Sequence, residues 1–332
     1  MATIKDVAKV AGVSVATVSR VLNSNGYVNV DTKKRVDQAI EQLNYRPNDV
    51  ARALFKGRSK MIALFVPDIM NPFFPELARA VEDITNKNGY TFVLCNTDDN
   101  LEKVLTYMDA LQQKSVDGII IVSSTITAES LKRINVPVIA LDRIFSSELS
   151  TVTVDNYQGA RKATEYLIGL GCQRIAHISG PINASNAKNR LQGYLDIVSD
   201  EDWFLPSYVA SGSFNLQKAK DVAMELLMNH PELDGIFAAN DVMGIGVMKA
   251  AESLGIHVPN DLSVIAFDGI TLGEMATPSL TTMEQPIYDM GARASEMLIE
   301  QINDQTLARK NEAFSVQLVE RQSTKRKRDM NE

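Results

Sequence analysis

Apolar positions fall into two regimes along the chain. Over the first forty-odd residues they recur at helical spacing in three short stretches. Thr3 can cap a helix over Ile4–Val10, Gly12 supplies a turn, and Ser14 caps a second helix from Val15 to about Leu22. A third amphipathic helix is predicted from Thr32 to Leu43, with Val36, Ile40 and Leu43 inward. Ala8, Val10, Val13, Val18, Val21 and Leu22 are expected to form one small core. From Lys60 the pattern changes to short apolar runs between helical stretches. Met61–Pro67, Thr91–Cys95, Gly118–Val122 and Val136–Leu141 read as strands, with helices at Pro75–Lys87 and Leu101–Gln113. After about Asp155 the alternation restarts, with strands at Arg174–Ile178, Val209–Ala210, Gly235–Ala239 and Leu262–Phe267.

Short buried strands between helices predict parallel, doubly wound sheets, and two such halves without a long linker predict two lobes around a cleft. The expected fold class is a small all-α helix-turn-helix head joined to a two-lobed α/β body. The expected boundaries are 1–46 for the head, 47–59 for a hinge and linker, 60–322 for the body and 323–332 for a basic tail. Within the body, 60–157 plus 286–322 form lobe 1 and 158–285 form lobe 2. Crossings are expected near Asp155, Asp268 and Gln285, with helix Ile287–Ile302 and strand Ala313–Leu318 returning to lobe 1.

Two short helices around a glycine turn place the second in a position to enter a major groove. Its outward residues are Ser14, Val15, Ala16, Thr17, Ser19 and Arg20. Arg20 suits guanine, Val15 and Ala16 suit a thymine methyl, and Thr17, Ser19 and Asn23 suit phosphates or base edges. Pro47 stops the preceding helix, and Asn48 can cap a short segment holding Ala51 and Leu54. An isolated helix of that length is marginal in water, so it is expected to form only when packed on DNA, with Leu54 as a minor-groove wedge. The full DNA-facing set is these residues with Thr3 and Tyr45.

Charge supports this division. The net charge is −7, yet residues 1–60 carry 11 Lys+Arg against 5 Asp+Glu, and the remainder carries 23 against 36. A basic head on an acidic body suits a polyanion-binding module joined to something else. Cys95 and Cys172 lie far apart in apolar runs and read as reduced thiols of a cytoplasmic protein. No signal region or membrane-length apolar run is present. Lys325-Arg326-Lys327-Arg328 reads as a solvated, frayed tail. The three histidines show no ligand spacing, so no metal and no cofactor are expected. No nucleotide-binding glycine loop or nucleophile elbow occurs; Gly244-Ile245-Gly246 fits helix packing, and Ile178-Ser179-Gly180-Pro181 a strand end with a turn.

The runs Ile4-Lys5-Asp6-Val7-Ala8, Gly12-Val13-Ser14 and Thr17-Val18-Ser19-Arg20-Val21-Leu22-Asn23 resemble the head of the LacI/GalR family of bacterial repressors. Tyr45-Arg46-Pro47-Asn48 and Ala51-Arg52-Ala53-Leu54 are similar to that family's hinge. The resemblance spans the chain. It implies a homodimer on a pseudo-palindromic double-stranded operator, a periplasmic-binding-protein-like body and a small-molecule effector in the cleft. It also implies a cytoplasmic protein, on the nucleoid when bound. The dimer face is expected along Ala78–Ile84 and Val242–Ala251.

Ligands of open α/β sheets bind beyond the carboxyl ends of the strands. The polar and aromatic residues expected there are Asn71, Phe73, Phe74, Asp142, Arg143, Arg190, Phe214, Asn240, Asp268 and Gln285. Carboxylates and amides exchange hydrogen bonds with hydroxyls, arginines donate in fixed forks, and phenylalanine faces pack on sugar C–H faces. Two arginines balance two carboxylates, which favours a neutral ligand over a phosphorylated one. The set resembles that of the family's ribose-responsive members and implies D-ribose as effector. Two other readings stay open. One is a carbon-catabolite regulator of the same family whose co-regulator is a phosphorylated carrier protein, or a repressor answering another small sugar or nucleoside. The second is an enzyme on an α/β scaffold, for which no catalytic constellation is present.

Overall fold

The structure is a computed structural model that describes residues 2–23, 26–45, 58–131, 134–144 and 146–325. The chain divides into two compact units, Met1–Ser59 and Lys60–Glu332. No helix among the described residues is long and apolar enough to cross a membrane.

In the first unit, α1 (Ile4–Ala11) starts in a capping box. The Thr3 hydroxyl accepts from the Asp6 N–H, while the Asp6 carboxylate accepts from the Thr3 N–H at 2.8 Å. The Thr3 hydroxyl, which donates to Asp6 Oδ2 at 2.7 Å, and then the Thr3 N–H hold the Asp6 carboxyl below the usual carboxylate range. Gly12 ends the helix at φ 65°, where a side chain would be strained. In α2 (Val15–Asn23), the Ser14 hydroxyl accepts from the Thr17 N–H at 3.1 Å. α3 (Val30–Gln42) begins two residues before the predicted Thr32, because Asn29 caps it by accepting from the Asp31 N–H. Val7, Ala8, Ala11, Val18, Val36 and Ala39 form the core. Val10 was expected there but is 47% exposed. The inward stripe of α1 runs Ile4, Val7, Ala8, Ala11, and position 10 lies outside that 3.6-residue period.

The second unit holds two sheets. Lobe 1 runs through β1 (Met61–Val66), α4 (Phe73–Lys87), β2 (Thr91–Asn96), α5 (Leu101–Gln113), β3 (Gly118–Ile121), α6 (Ala128–Leu131), β4 (Val138–Leu141) and β5 (Ser150–Val154). Lobe 2 follows with α7 (Asn156–Gly169), β6 (Ile175–Ser179), α8 (Ser185–Val198), β7 (Val209–Ser211), α9 (Leu216–Asn229), β8 (Gly235–Ala238), α10 (Asp241–Ser253), β9 (Ser263–Asp268), α11 (Thr271–Met275) and β10 (Thr281–Glu284). Then come α12 (Ile287–Asn303), β11 (Asn311–Phe314) and β12 (Gln317–Val319). The lobe 1 sheet has the order β11-β5-β4-β3-β1-β2, parallel throughout. The lobe 2 sheet has the order β12-β10-β9-β8-β6-β7, parallel except for β12.

Three expectations change. The chain crosses between lobes at 155, at 285–286 and at 315–316; Asp268 is no crossing, since β9 and β10 are neighbours in one sheet. The stretch 286–322 does not all return to lobe 1. β11 joins β5 there, but β12 pairs antiparallel with β10 in lobe 2. Ser323 and Thr324, expected in the basic tail, are buried in lobe 2. The Ser323 hydroxyl donates to the Val264 carbonyl, and the Thr324 and Thr281 hydroxyls pair at 2.9 Å. Residues 326–332 lie outside the described residues. β5 and β10 escaped the hydrophobic reading because serines and threonines interrupt them. Hydrogen bonds satisfy those hydroxyls inside, for example Ser150 with the Gln301 amide and Thr282 with Asp241.

Glycine spacing seats helices on neighbours. A Cβ on Gly244 would meet Ala266 at 2.8 Å, and one on Gly246 would meet the Leu216 carbonyl at 2.6 Å. Gly244-Ile245-Gly246 is therefore a packing element. Both cysteines are free, and burial pushes each thiol up to about 11.

His177 is fully buried between Tyr194 and Phe237, with Nδ1–H donating to the Phe237 carbonyl at 2.9 Å. Burial holds its pKa down to about 3. The unfolded chain takes this proton near the ordinary value of 6.5 and the folded chain does not, so lobe 2 stability falls as pH drops from 6.5 toward 3. We expect the His177 ring resonances to stay constant in NMR spectra from pH 8 to about 4.5 while thermal stability declines. A titration midpoint above pH 6 would overturn the assignment.

Candidate functional site

A cleft of about 360 Å³ lies between the two lobes of the body. Nine of the ten predicted residues line it: Asn71, Phe73, Phe74, Asp142, Arg143, Arg190, Phe214, Asn240 and Asp268. Gln285 does not line it. It lies behind, where its Nε2–H donates to Asp268 Oδ1 at 2.7 Å. Strand ends carry most of these groups. Asn71 to Phe74 follow β1, Asp142 and Arg143 follow β4, Phe214 follows β7, Asn240 follows β8, and Asp268 ends β9. Arg190 comes from α8.

Both arginines are committed to the protein. Arg190 is 1% exposed. Its Nε–H donates to Asn156 Oδ1 at 2.8 Å, and Nη1 donates to the Ala239 carbonyl at 2.6 Å and to Asp268 Oδ1 at 3.1 Å. Its guanidinium lies 3.7 Å from the centre of the Phe267 ring. Arg143 Nη1 donates to Asp99 Oδ2 at 2.9 Å and to the Ser124 hydroxyl. Burial pushes the Asp142 and Asp268 carboxyls above the usual range, although arginines beside both pull the other way.

Sequence reasoning missed Asp68, Asp98, Asp99, Asn186, Ser213 and Asn215, which also line the cleft. Two signals could have found some of them. Asp98 and Asp99 follow β2, itself a strand end at the cleft. Asn186 precedes Arg190 by one helical turn and so shares its face. The expected charge balance is corrected: five aspartates and two arginines line the cleft. Asn186 also joins the lobes, its Nδ2–H donating to Asp142 Oδ2 at 2.9 Å, and beside it the Ile144 N–H donates to the Ser185 hydroxyl.

The backbone marks the same place. Nine non-glycine residues among those described have positive φ, and six of them line the cleft: Asp98, Asp99, Asp142, Ser213, Phe214 and Asp268. Such conformations cost free energy and persist where the surroundings hold them. Phe214 owes its seat to Gly180, since a Cβ there would lie 2.5 Å from the ring. Asn71 forms the turn that leads into α4 and Asn240 caps α10, and both line the cleft. The carboxamide oxygen of Asn71 accepts from the Phe73 N–H, and that of Asn240 from the Met243 N–H. Phe73 and Phe74 meet edge-to-face at 5.2 Å. Among the described residues no cluster of His, Cys, Asp or Glu could hold a metal ion.

In the head, Ser14, Val15, Ala16 and Arg20 are exposed on or beside α2, and Thr17 and Ser19 are half-buried. Asn23 donates to the Ser19 carbonyl, and Tyr45 packs on the head core. Asn48, Ala51 and Leu54 lie outside the described residues.

Residues 3–48 match the family described as bacterial regulatory proteins, lacI family. Residues 59–322 match periplasmic binding proteins and sugar binding domain of LacI family. The ribose operon repressor of Halalkalibacterium halodurans is 49% identical over 325 residues, covering 98% of each chain. The chain is also similar to the lac repressor dimer bound to operator and the anti-inducer ONPF, with TM-score 0.86, 27% identity, and 97% and 99% of the two chains covered. A LacI family regulator from Enterococcus faecium with bound ribose gives TM-score 0.72 at 30% identity, covering 80% of this chain and 98% of the other.

Replacing Arg190 with Ala strands Asp268 without its buried cation. We expect a loss of about 3 kcal/mol at pH 8. The loss shrinks at pH 5, where Asp268, its folded pKa raised further, takes up a proton. Chemical denaturation at both pH values checks this, and a larger loss at pH 5 would refute it.

Proposed function

The chain belongs to the LacI family of bacterial regulatory proteins, and we propose that it is a DNA-binding transcriptional repressor of ribose uptake and utilisation genes, released from its operator by D-ribose. The observation that carries the sugar reading is the cleft's donor set. Phenylalanine faces stand beside carboxylates and amides, and both arginines are already paired. Such a site offers hydrogen bonds to hydroxyls, and among the described residues that line it both cations are already engaged by carboxylates. Its volume lies at the small end of ligand pockets (~300–1,000 Å³), which suits one monosaccharide. The names of the similar ribose operon repressor and of the ribose-bound regulator support the same ligand.

In this mechanism Asn71, Phe73, Phe74, Asp142 and Arg143 hold the sugar from lobe 1. Arg190, Phe214, Asn240 and Asp268 hold it from lobe 2, and Gln285 supports Asp268. Because both lobes contribute, the sugar stabilises the closed cleft, and closure weakens the hold on DNA. Two heads of a homodimer, joined along the faces of α4 and α10, read a pseudo-palindromic operator through Arg20, Val15 and Ala16. Linkage requires the operator to weaken sugar binding by the factor with which sugar weakens operator binding.

Fluorescence anisotropy on a labelled fragment of the protein's own promoter tests this. Millimolar D-ribose should release the DNA, while D-glucose and ribose 5-phosphate should not. Tight DNA binding unmoved by ribose would refute the effector. DNA affinity raised by a phosphorylated carrier protein would favour a catabolite regulator instead. Arg20→Ala should lose about 1–3 kcal/mol of discrimination between operator and random DNA and keep its salt-dependent nonspecific binding. Phe214→Ala should abolish the ribose response and leave operator binding intact. A normal response would show that the effector sits elsewhere.

A further inference from the structure

Asp241 is a fully buried carboxylate that does not line the cleft, although its neighbour Asn240 does. It is the first residue of α10. Its Oδ2 accepts from two successive backbone groups, the Gly269 N–H at 2.8 Å and the Ile270 N–H at 2.8 Å. Its Oδ1 accepts from the Thr282 hydroxyl at 2.6 Å. One side chain thus ties the start of α10 to β10 and to the turn after β9.

That turn begins with Asp268, whose φ is 119°, followed by Gly269 at 84°. An aspartate has no preference for that conformation, so something must hold it there. A Cβ on Gly269 would lie 2.5 Å from Glu284 Cγ, which shows how closely β10 presses on the turn. Asp268 must also stay where Arg190 and Gln285 meet its Oδ1 at 3.1 and 2.7 Å. Keeping a second carboxylate so near is unfavourable, and burial together with the Asp268 charge pushes Asp241 up. A carboxylate retained there needs a function that its hydrogen bonds supply.

We propose that Asp241 is a positioning residue for effector recognition, holding the 268–270 turn so that Asp268 faces the cleft while its Oδ1 accepts from Arg190 and from Gln285 behind it. The inference rests on the reading of the cleft as a sugar site. It assigns Asp241 no contact with the sugar and no role at the operator.

The test is calorimetric titration of D-ribose into the full-length protein and its variants, with operator affinity measured in parallel without sugar. Asp241→Ala should weaken ribose binding about tenfold or more, since two backbone donors lose their buried acceptor. Asp241→Asn should recover affinity to within about threefold, because its Oδ1 can accept from both N–H groups and its Nδ2 can donate to Thr282. Operator affinity should not change in either variant. Gly269→Ala leaves Asp241 intact and forces the turn to move, and should also weaken ribose binding. If Asp241→Ala does not fold, the Asn and Gly269→Ala variants decide: wild-type affinity in Gly269→Ala would overturn the proposal. So would wild-type affinity in Asp241→Ala, or failure of Asn to rescue an impaired Ala variant. A wild-type protein that itself binds no ribose would overturn the sugar reading and this inference with it.

Discussion

A buried guanidinium can exist only where hydrogen bonds and opposite charge replace its water. Arg190 meets that condition with four groups from three places in lobe 2: Asn156 on α7, the carbonyl of Ala239 after β8, and Asp268 with the ring of Phe267 at the end of β9. The requirement works in both directions. Each of those elements must stay in register for the arginine to remain paired, and the arginine fixes the strand ends that open on the cleft. Arg143 repeats the arrangement in lobe 1 with Asp99, Ser124 and Asp142. The cleft therefore holds two arginine–carboxylate pairs within a lining of five aspartates, and among the described residues that line it both cations are engaged.

That surface is also where the backbone is least comfortable. Positive-φ aspartates stand at the ends of strands, where the sheet stops supplying partners and the chain must turn. The turns are held by side chains from other elements, such as Asp241 for the 268–270 turn and Asn186 reaching from lobe 2 to Asp142 in lobe 1. Asn186 links the lobes directly. A sugar that uses Asp142 must share it with Asn186, so sugar binding and lobe contact draw on one carboxylate.

Much of this was legible in the residues. Helix periodicity, caps and glycine turns located the head, and the apolar runs located most strands. Of the ten residues expected from the strand-end rule, nine line the cleft. Where the reading failed, polarity was the cause. β5 and β10 carry serines and threonines whose hydroxyls are satisfied by partners distant in sequence, such as Thr151 with Asn311. Val10 was misplaced because an apolar residue on a small helix need not face its core. Asp98 and Asp99 went unnoticed because an exposed-looking acidic pair is the ordinary composition of a loop.

The sequence by itself determined the local elements and the kinds of chemistry present, because capping, helical periodicity and strand runs depend on near neighbours. It also carried the family resemblance in the head, the hinge and the cleft motifs. Only the tertiary structure decided the pairings. It placed β12, Ser323 and Thr324 in lobe 2, committed both arginines to carboxylates, and turned an apparent charge balance into an acidic cleft. These depend on groups far apart in the chain meeting in a water-poor interior, where most buried polar atoms find a partner. Local pattern does not specify which partner that will be.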